Sequence, residues 1–303
     1  TRKESSAASD VYKRQVQASP LSHIKVGLSD VDGVMLGKYL RRDKFLGALR
    51  SGLAFCDVVF GWDLDDQLYD NTKYTGWHTA YPDAKLRIVP QTGRRLPLEQ
   101  GPGGEDMLLF LAEFEGDAGA ICPRRLLHRT LDRAAGMGYD VYAALEYEFF
   151  MFRETPHSVR AKHYRNMENW TPGNFGYSML RSTVEGDFYR KLLDMCERMD
   201  MPIEGLHTET GPGVLEAAIA VDQAAAAGDK AFLFKTFTKA LAQQNGLMAT
   251  FMAKWSHDHP GQSGHIHLSL REKKSGRSAF YDESQPHGMS AAQTSFMAVS
   301  YTH

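Results

Sequence analysis

Residues 139–152 read YDVYAALEYEFFMF, one long strand entered from Gly136 and Gly138. This segment restricts the fold more than any other. Successive strand side chains point to opposite faces, so Glu146 and Glu148 project together while Leu145, Tyr147 and Phe149 project the other way. One face is apolar and aromatic. The other holds two carboxylates ~7 Å apart, which repel each other unless a cation or an arginine lies between them. A solvated strand face is the plain alternative for such a pair.

Before residue 116 the chain reads mostly as short strands. Ile24–Leu28 and Val34–Leu40 flank an Asp30–Gly33 turn and form a hairpin pattern. Ala54–Phe60, Leu86–Val89 and the apolar run Met107–Phe114 read as further strands, and Tyr69–Pro82 is polar, aromatic and irregular. After residues 116–120 helices alternate with strands. A helix over Arg124–Met137 follows Pro123, and the 139–152 strand is followed by a polar loop at 155–175. Next come a helix over Val184–Met199, a strand at Pro202–His207 and an Ala-rich helix over Val221–Asn245, then strands at Leu247–Ala253 and His265–Leu270. This order predicts an α+β chain, with a small β-rich domain at 16–115 and a larger domain at 116–303. Two domains also suit a length of 303 residues. The first fifteen residues are polar and aperiodic and read as a tail without structure. Ser5–Gln15 (SSAASDVYKRQ) and Val299–His303 (VSYTH) resemble translated adapter sequence, so residues 1–15 are expected to be non-native and the chain to be cut at its C-terminus.

Composition removes several function classes. Lys plus Arg number 35 and Asp plus Glu 37, a net charge of −2, which argues against a nucleic-acid footprint. No apolar run approaches the roughly 18 residues of a transmembrane helix, so no membrane partner is expected. Cys56, Cys122 and Cys196 are far apart and form no CxxC pair, which disfavours a disulfide framework or structural zinc and suits a reducing, cytoplasmic setting. There is no Walker A motif, no GxSxG elbow and no kinase HRD.

Two further clusters carry chemistry. Residues 204–216, EGLHTETGPGVLE, hold Glu204, His207, Glu209 and Glu216 around a Gly-Pro-Gly turn, whose glycines let Glu209 and Glu216 converge. An ordinary acidic loop is the alternative. In GQSGHIHLSL, His265 and His267 share a strand face, a common way to hold a metal or a phosphate, and Gly261 and Gly264 point to close approach of a ligand. Two unliganded histidines are the alternative there. An oxygen-rich site with few nitrogens favours Mg2+ or Mn2+ over Zn2+. The residue types therefore predict metal-dependent phosphoryl or nucleotide chemistry.

Four segments in order, LEYEFF, IEGLHTETGPGVLE, ATFMAK and GQSGHIHLSL, resemble the glutamine synthetase family over roughly residues 20–298. The resemblance implies an N-terminal β-grasp domain, then a catalytic domain with an antiparallel sheet and flanking helices. It also implies a homo-oligomeric ring whose active sites combine one subunit's catalytic domain with its neighbour's β-grasp domain. It implies ATP and Mg2+ or Mn2+ as cofactors, with glutamate and ammonia or a small amine as substrates. The glutamate γ-carboxylate takes the terminal phosphate of ATP, and an amine then displaces it. By position, Glu148, Glu209 and Glu216 match the ligands of one metal, and Glu146 and His265 match two ligands of a second. Glu204 matches an ATP-contacting glutamate, and His267 and Ser269 match nucleotide-side residues. Gly261 matches the glycine that meets substrate glutamate, and Asp57 is the nearest match to the amine-deprotonating aspartate.

The chain also departs from the family pattern. The ammonium-handling Asp-Gly-Ser-Ser is replaced by FCDVVFGWDLDD at Phe55–Asp66, closer to the γ-glutamyl-amine ligase branch, such as γ-glutamylputrescine synthetase. Where the family has Asn-Gly-Ser-Gly-Met before the metal histidine, this chain has Pro260-Gly261-Gln262-Ser263-Gly264. The family's downstream arginines, flap glutamate and last metal glutamate are not in the sequence, so the 303-residue chain by itself is expected to be nearly inactive. A non-catalytic relative with a structural or interaction role is the alternative, and the kept glutamates and histidine speak against it. A hydrolase with the same ligands would not explain four ordered segments.

Overall fold

The computed structural model describes residues 11–302. They fall into two compact units, one running to His128 with Glu197–Asp200 added, the other made of Arg129–Cys196 and the residues from Met201 onward.

In the first unit a helix, α1, spans residues 11–18. β1 (His23–Ser29) and β2 (Met35–Arg41) form the expected hairpin, paired from His23↔Arg41 to Ser29↔Met35. Its turn is fixed by Asp30, whose carboxylate accepts from the backbone N–H of Asp32 and Val34 at 2.9 and 2.8 Å. Then come α2 (Arg42–Ser51), β3 (Leu53–Cys56), β4 (Asp83–Ile88), β5 (Arg94–Gln100), β6 (Asp106–Phe114) and a short α3 (Ala118–Ile121). The sheet order is β2-β1-β6-β4-β3, with β5 also on β6. β6 runs parallel to β1 and antiparallel to β4 and β5. β6 is thus an interior strand, and residues 107–114 are buried on both of its faces, which is why the run is apolar nearly throughout. Phe45, Phe110, Phe114, Ile24 and Leu86 form the core.

Two expectations need correction here. Residues 11–15 are not a tail without structure. Val16 is fully buried, and the Tyr12 ring meets Phe110 edge-on at 6.1 Å, so two residues one helical turn apart dock an otherwise polar helix. Residues 1–10 lie outside the described residues. The strand expected at Ala54–Phe60 stops at Cys56, and Asp57–Phe60 forms a 3-10 turn in which the Asp57 N–H donates to the Pro82 carbonyl. β5 contains Pro97, which disguises it as a non-strand.

α4 (Pro123–Gly136) leads to β7 (Tyr139–Phe152), both close to their expected bounds. α5 (Pro156–Ala161) interrupts the expected polar loop, started by a reciprocal Thr155–Ser158 capping box. The helix expected over 184–199 is α7 (Gly186–Arg198), and a separate short helix, α6 (Met179–Val184), precedes it. β8 (Ile203–Thr208), β9 (Val214–Gln223), α8 (Ala224–Gln244), β10 (Met248–Thr250), β11 (Gly264–Glu272) and α9 (Ala291–Thr302) complete the second unit. Its sheet is antiparallel throughout, in the order β10-β7-β9-β8 with β11 also on β7. β7 is its central strand, with β9 on one edge and β10 and β11 on the other. α8 closes the apolar face, where Phe234 packs on Tyr147 at 5.8 Å and Phe149 at 6.0 Å. That cover leaves the glutamate face of β7 for chemistry. Among the described residues no helix is long and apolar enough to cross a membrane.

Candidate active site

Strand register assembles the site. β11 sets His265 opposite Glu146, β9 sets Glu216 opposite Glu148, and β8 sets His207 opposite Glu216. Because these residues share one face of adjacent strands, acids and imidazoles from four separate segments meet. His265 Nδ1 lies 2.9 Å from one oxygen of Glu146, and His267 Nε2 lies 3.2 Å from the other. His207 lies 3.7 Å from Glu216 through Nε2 and 3.8 Å from Glu209 through Nδ1. Two groups have donor atoms all within 4.8 Å of one another: Glu146, Glu216 and His265, and His207, Glu209 and Glu216. Glu216 belongs to both.

The Gly-Pro-Gly turn brings Glu209 back over β9. Glu209 N–H donates to the Val214 carbonyl at 3.0 Å, and Gly213 has φ +71°. A Cβ at Gly213 would sit 2.4 Å from the Met151 carbonyl oxygen. Gly213→Ala is therefore expected to cost about 1–3 kcal/mol, read as a lower urea midpoint at unchanged slope. The close approach expected at Gly261 and Gly264 is made by the protein's own backbone. A Cβ at Gly264 would stand 2.5 Å from the Glu146 carbonyl oxygen, and one at Gly261 would stand 2.8 Å from that of Ala253.

Charge crowding marks the site. Burial raises the Glu216 carboxyl above its usual range; His207 opposes this, and the neighbouring Glu146, Glu148 and Glu209 add to it. Burial also works against ionised Glu146, but hydrogen bonds from His267 and His265 carry its carboxyl below the usual value. A half-buried carboxylate pressed by three others is the environment a divalent cation relieves, and the donor set of carboxylates with one imidazole in each group suits a hard cation.

The remaining sequence candidates are placed as follows. Glu148 shares the acidic face but stands outside both close groups, its carboxylate accepting from the N–H and hydroxyl of Ser263. Glu204 is the extra residue at a bulge in β8 and is exposed. Ser269 sits opposite Tyr142, two residues beyond His267 on the same strand face. Asp57 is buried in the first unit, where Thr75 donates its hydroxyl to it at 2.6 Å. The sequence placed His207 in the 204–216 cluster without a ligand role; in the structure the Tyr177 ring stacks on it at 4.4 Å. Its opposition to Glu216 follows only once β9 is recognised as a strand.

Comparison with known proteins identifies the family. The profile of "Glutamine synthetase, catalytic domain" matches residues 120–303. The chain is 41% identical over 294 residues to type-1 glutamine synthetase 2 of Dictyostelium discoideum, covering 96% of this chain and 55% of that protein. It is 31% identical over 284 residues to a glutamate–isopropylamine ligase of a Pseudomonas species, covering 93% of this chain and 61% of that protein. It is 31% identical over 284 residues to gamma-glutamylethanolamide synthetase of Streptomyces coelicolor, with coverages of 93% and 60%. The chain thus spans 55–61% of the length of these relatives. Among solved structures, the GmaS/ADP complex aligns with a TM-score of 0.77 at 19% identity, covering 94% of this chain and 61% of that one. At that identity the likeness speaks for the fold alone. The catalytic-domain match takes in more than half of the chain and every clustered glutamate and histidine on β7, β8, β9 and β11, and the chain belongs to the glutamine synthetase family.

Proposed function

We propose that the full-length protein is an ATP-dependent ligase that joins the γ-carboxylate of glutamate to ammonia or an organic amine through γ-glutamyl phosphate. One observation carries this reading: two groups of carboxylates and imidazoles on one sheet face share Glu216. The relatives support it, since two of them are named for ligation of isopropylamine and for γ-glutamylethanolamide synthesis.

In this reading Glu148, Glu209 and Glu216 hold one divalent cation, and Glu146 and His265 hold part of a second, Mg2+ or Mn2+. Such cations neutralise phosphate charge and orient the carboxylate nucleophile. The chain's own residues position the reactants. His265 and His267 fix both oxygens of Glu146, so that carboxylate needs little rearrangement on cation binding. Glu204, His267 and Ser269 serve the nucleotide, Gly261 meets glutamate, and Asp57 accepts the amine proton. The first unit takes the β-grasp role, and the protein works in the cytoplasm as a homo-oligomeric ring with shared sites.

The test is phosphate release by the full-length protein with ATP, glutamate and Mn2+, across ammonium, ethanolamine, isopropylamine and putrescine. Release that depends on both glutamate and an amine is expected. Release with ammonium alone would mark glutamine synthesis, and no amine-dependent release with any of the four would overturn the ligase reading.

A further inference from the structure

The segment between β10 and β11 carries Gln262 and Ser263 immediately before Gly264, the first residue of β11. Ser263 and Glu148, 115 residues apart, exchange three hydrogen bonds. The Ser263 N–H donates to one carboxylate oxygen of Glu148 at 2.9 Å, and its hydroxyl donates to the other at 3.1 Å. The Glu148 N–H donates to the Ser263 carbonyl at 3.4 Å. The serine is itself anchored. The buried side chain of Gln262 donates to the carbonyls of Phe251 and Met252 at 2.7 and 2.9 Å, and the Gln262 N–H donates to Ala253 at 2.7 Å.

Glu148 faces Glu216 directly across the strands, and the two carboxylates repel. Without a donor at its tip, Glu148 would relieve that repulsion by swinging into solvent. An ionised carboxylate has about four lone-pair sites; the serine occupies two and leaves the others for a cation. We infer that Ser263 is a positioning residue, which holds Glu148 as a pre-oriented cation ligand, with Gln262 as the strut beneath it. This rests on the cation-binding reading of the acidic face and adds to it a residue that is neither a carboxylate nor an imidazole of that face.

The experiment is Mn2+ titration of the purified chain, following the free-ion signal by electron paramagnetic resonance, in wild type, Ser263→Ala, Ser263→Gly and Ser263→Thr. Removing a residue that orients a ligand costs roughly 10–100-fold in metal affinity. Both Ser263→Ala and Ser263→Gly should lose affinity in that range, with the metal-free unfolding midpoint unchanged. Ser263→Thr keeps the hydroxyl donor and should bind within about threefold of wild type. Wild-type affinity in Ser263→Ala would overturn the inference, and so would a loss in Ser263→Thr equal to that in Ser263→Ala. Absence of saturable Mn2+ binding in wild type would instead overturn the cation site itself, a separate result.

Discussion

Replacing Glu216 by glutamine is expected to weaken Mn2+ binding by at least about 100-fold, since loss of even a supporting partner costs roughly 10–100-fold. In the full-length protein it should lower kcat by roughly 10²–10³-fold, the scale of removing one preorganised charge-stabilising group. Glu216 stands in both close groups, so its loss weakens both at once. The stability effect runs the other way. A carboxyl whose folded-state pKa is raised contributes stability that is complete below the unfolded pKa and is lost as pH rises through the folded value. Without metal, then, Glu216→Gln should match wild type at acidic pH and exceed it in melting temperature at neutral pH. Mn2+ at 100 times its Kd should stabilise wild type by about 2.7 kcal/mol and the variant hardly at all. A variant with a lower metal-free melting temperature at neutral pH and an intact Mn2+ response would sink this account.

The acidic face was legible because strand alternation reports itself locally. Glu146 with Glu148, and His265 with His267, declare a shared face from their spacing alone. β9 was not legible. Its sequence VLEAAIAVDQ runs into the alanines of α8, and nothing local separates them. What makes it a strand is pairing with β7 on one edge and β8 on the other, a property of neighbours distant in sequence. The same holds for Ser263, whose meaning depends on a glutamate 115 residues earlier. The hairpin of β1 and β2 was legible because its turn chemistry is local, whereas the docking of α1 depends on a phenylalanine nearly a hundred residues away, Phe110.

The first unit carries a charge network of a different kind. Glu113 on β6 is wholly buried and ion-paired with Arg87, Arg124 and Arg125. Breaking a buried pair by removing one partner costs about 3–5 kcal/mol, because the other charge is left uncompensated. Arg87 and Arg125 keep side-chain exposures of 44% and 41% and can recover water, which places Glu113→Ala at the lower end, about 3 kcal/mol. Against a typical total of roughly 5–15 kcal/mol, that is a large fraction of the unit's stability. Hydrogen exchange of the β6 amides, residues 106–114, reads the loss in this unit directly. The pH dependence has a definite sign. Burial works to raise the Glu113 carboxyl, but Arg87 and Arg124 outweigh it and hold it below the usual glutamate value. A depressed folded-state pKa contributes stability that is present above the unfolded value, about 4.3 for glutamate, and is lost as pH falls through the folded one. The gap between wild type and Glu113→Gln should therefore be constant from neutral pH down to about 5 and close below about 4. A gap that widens on acidification would show that shape, and not charge, is what β6 requires of Glu113.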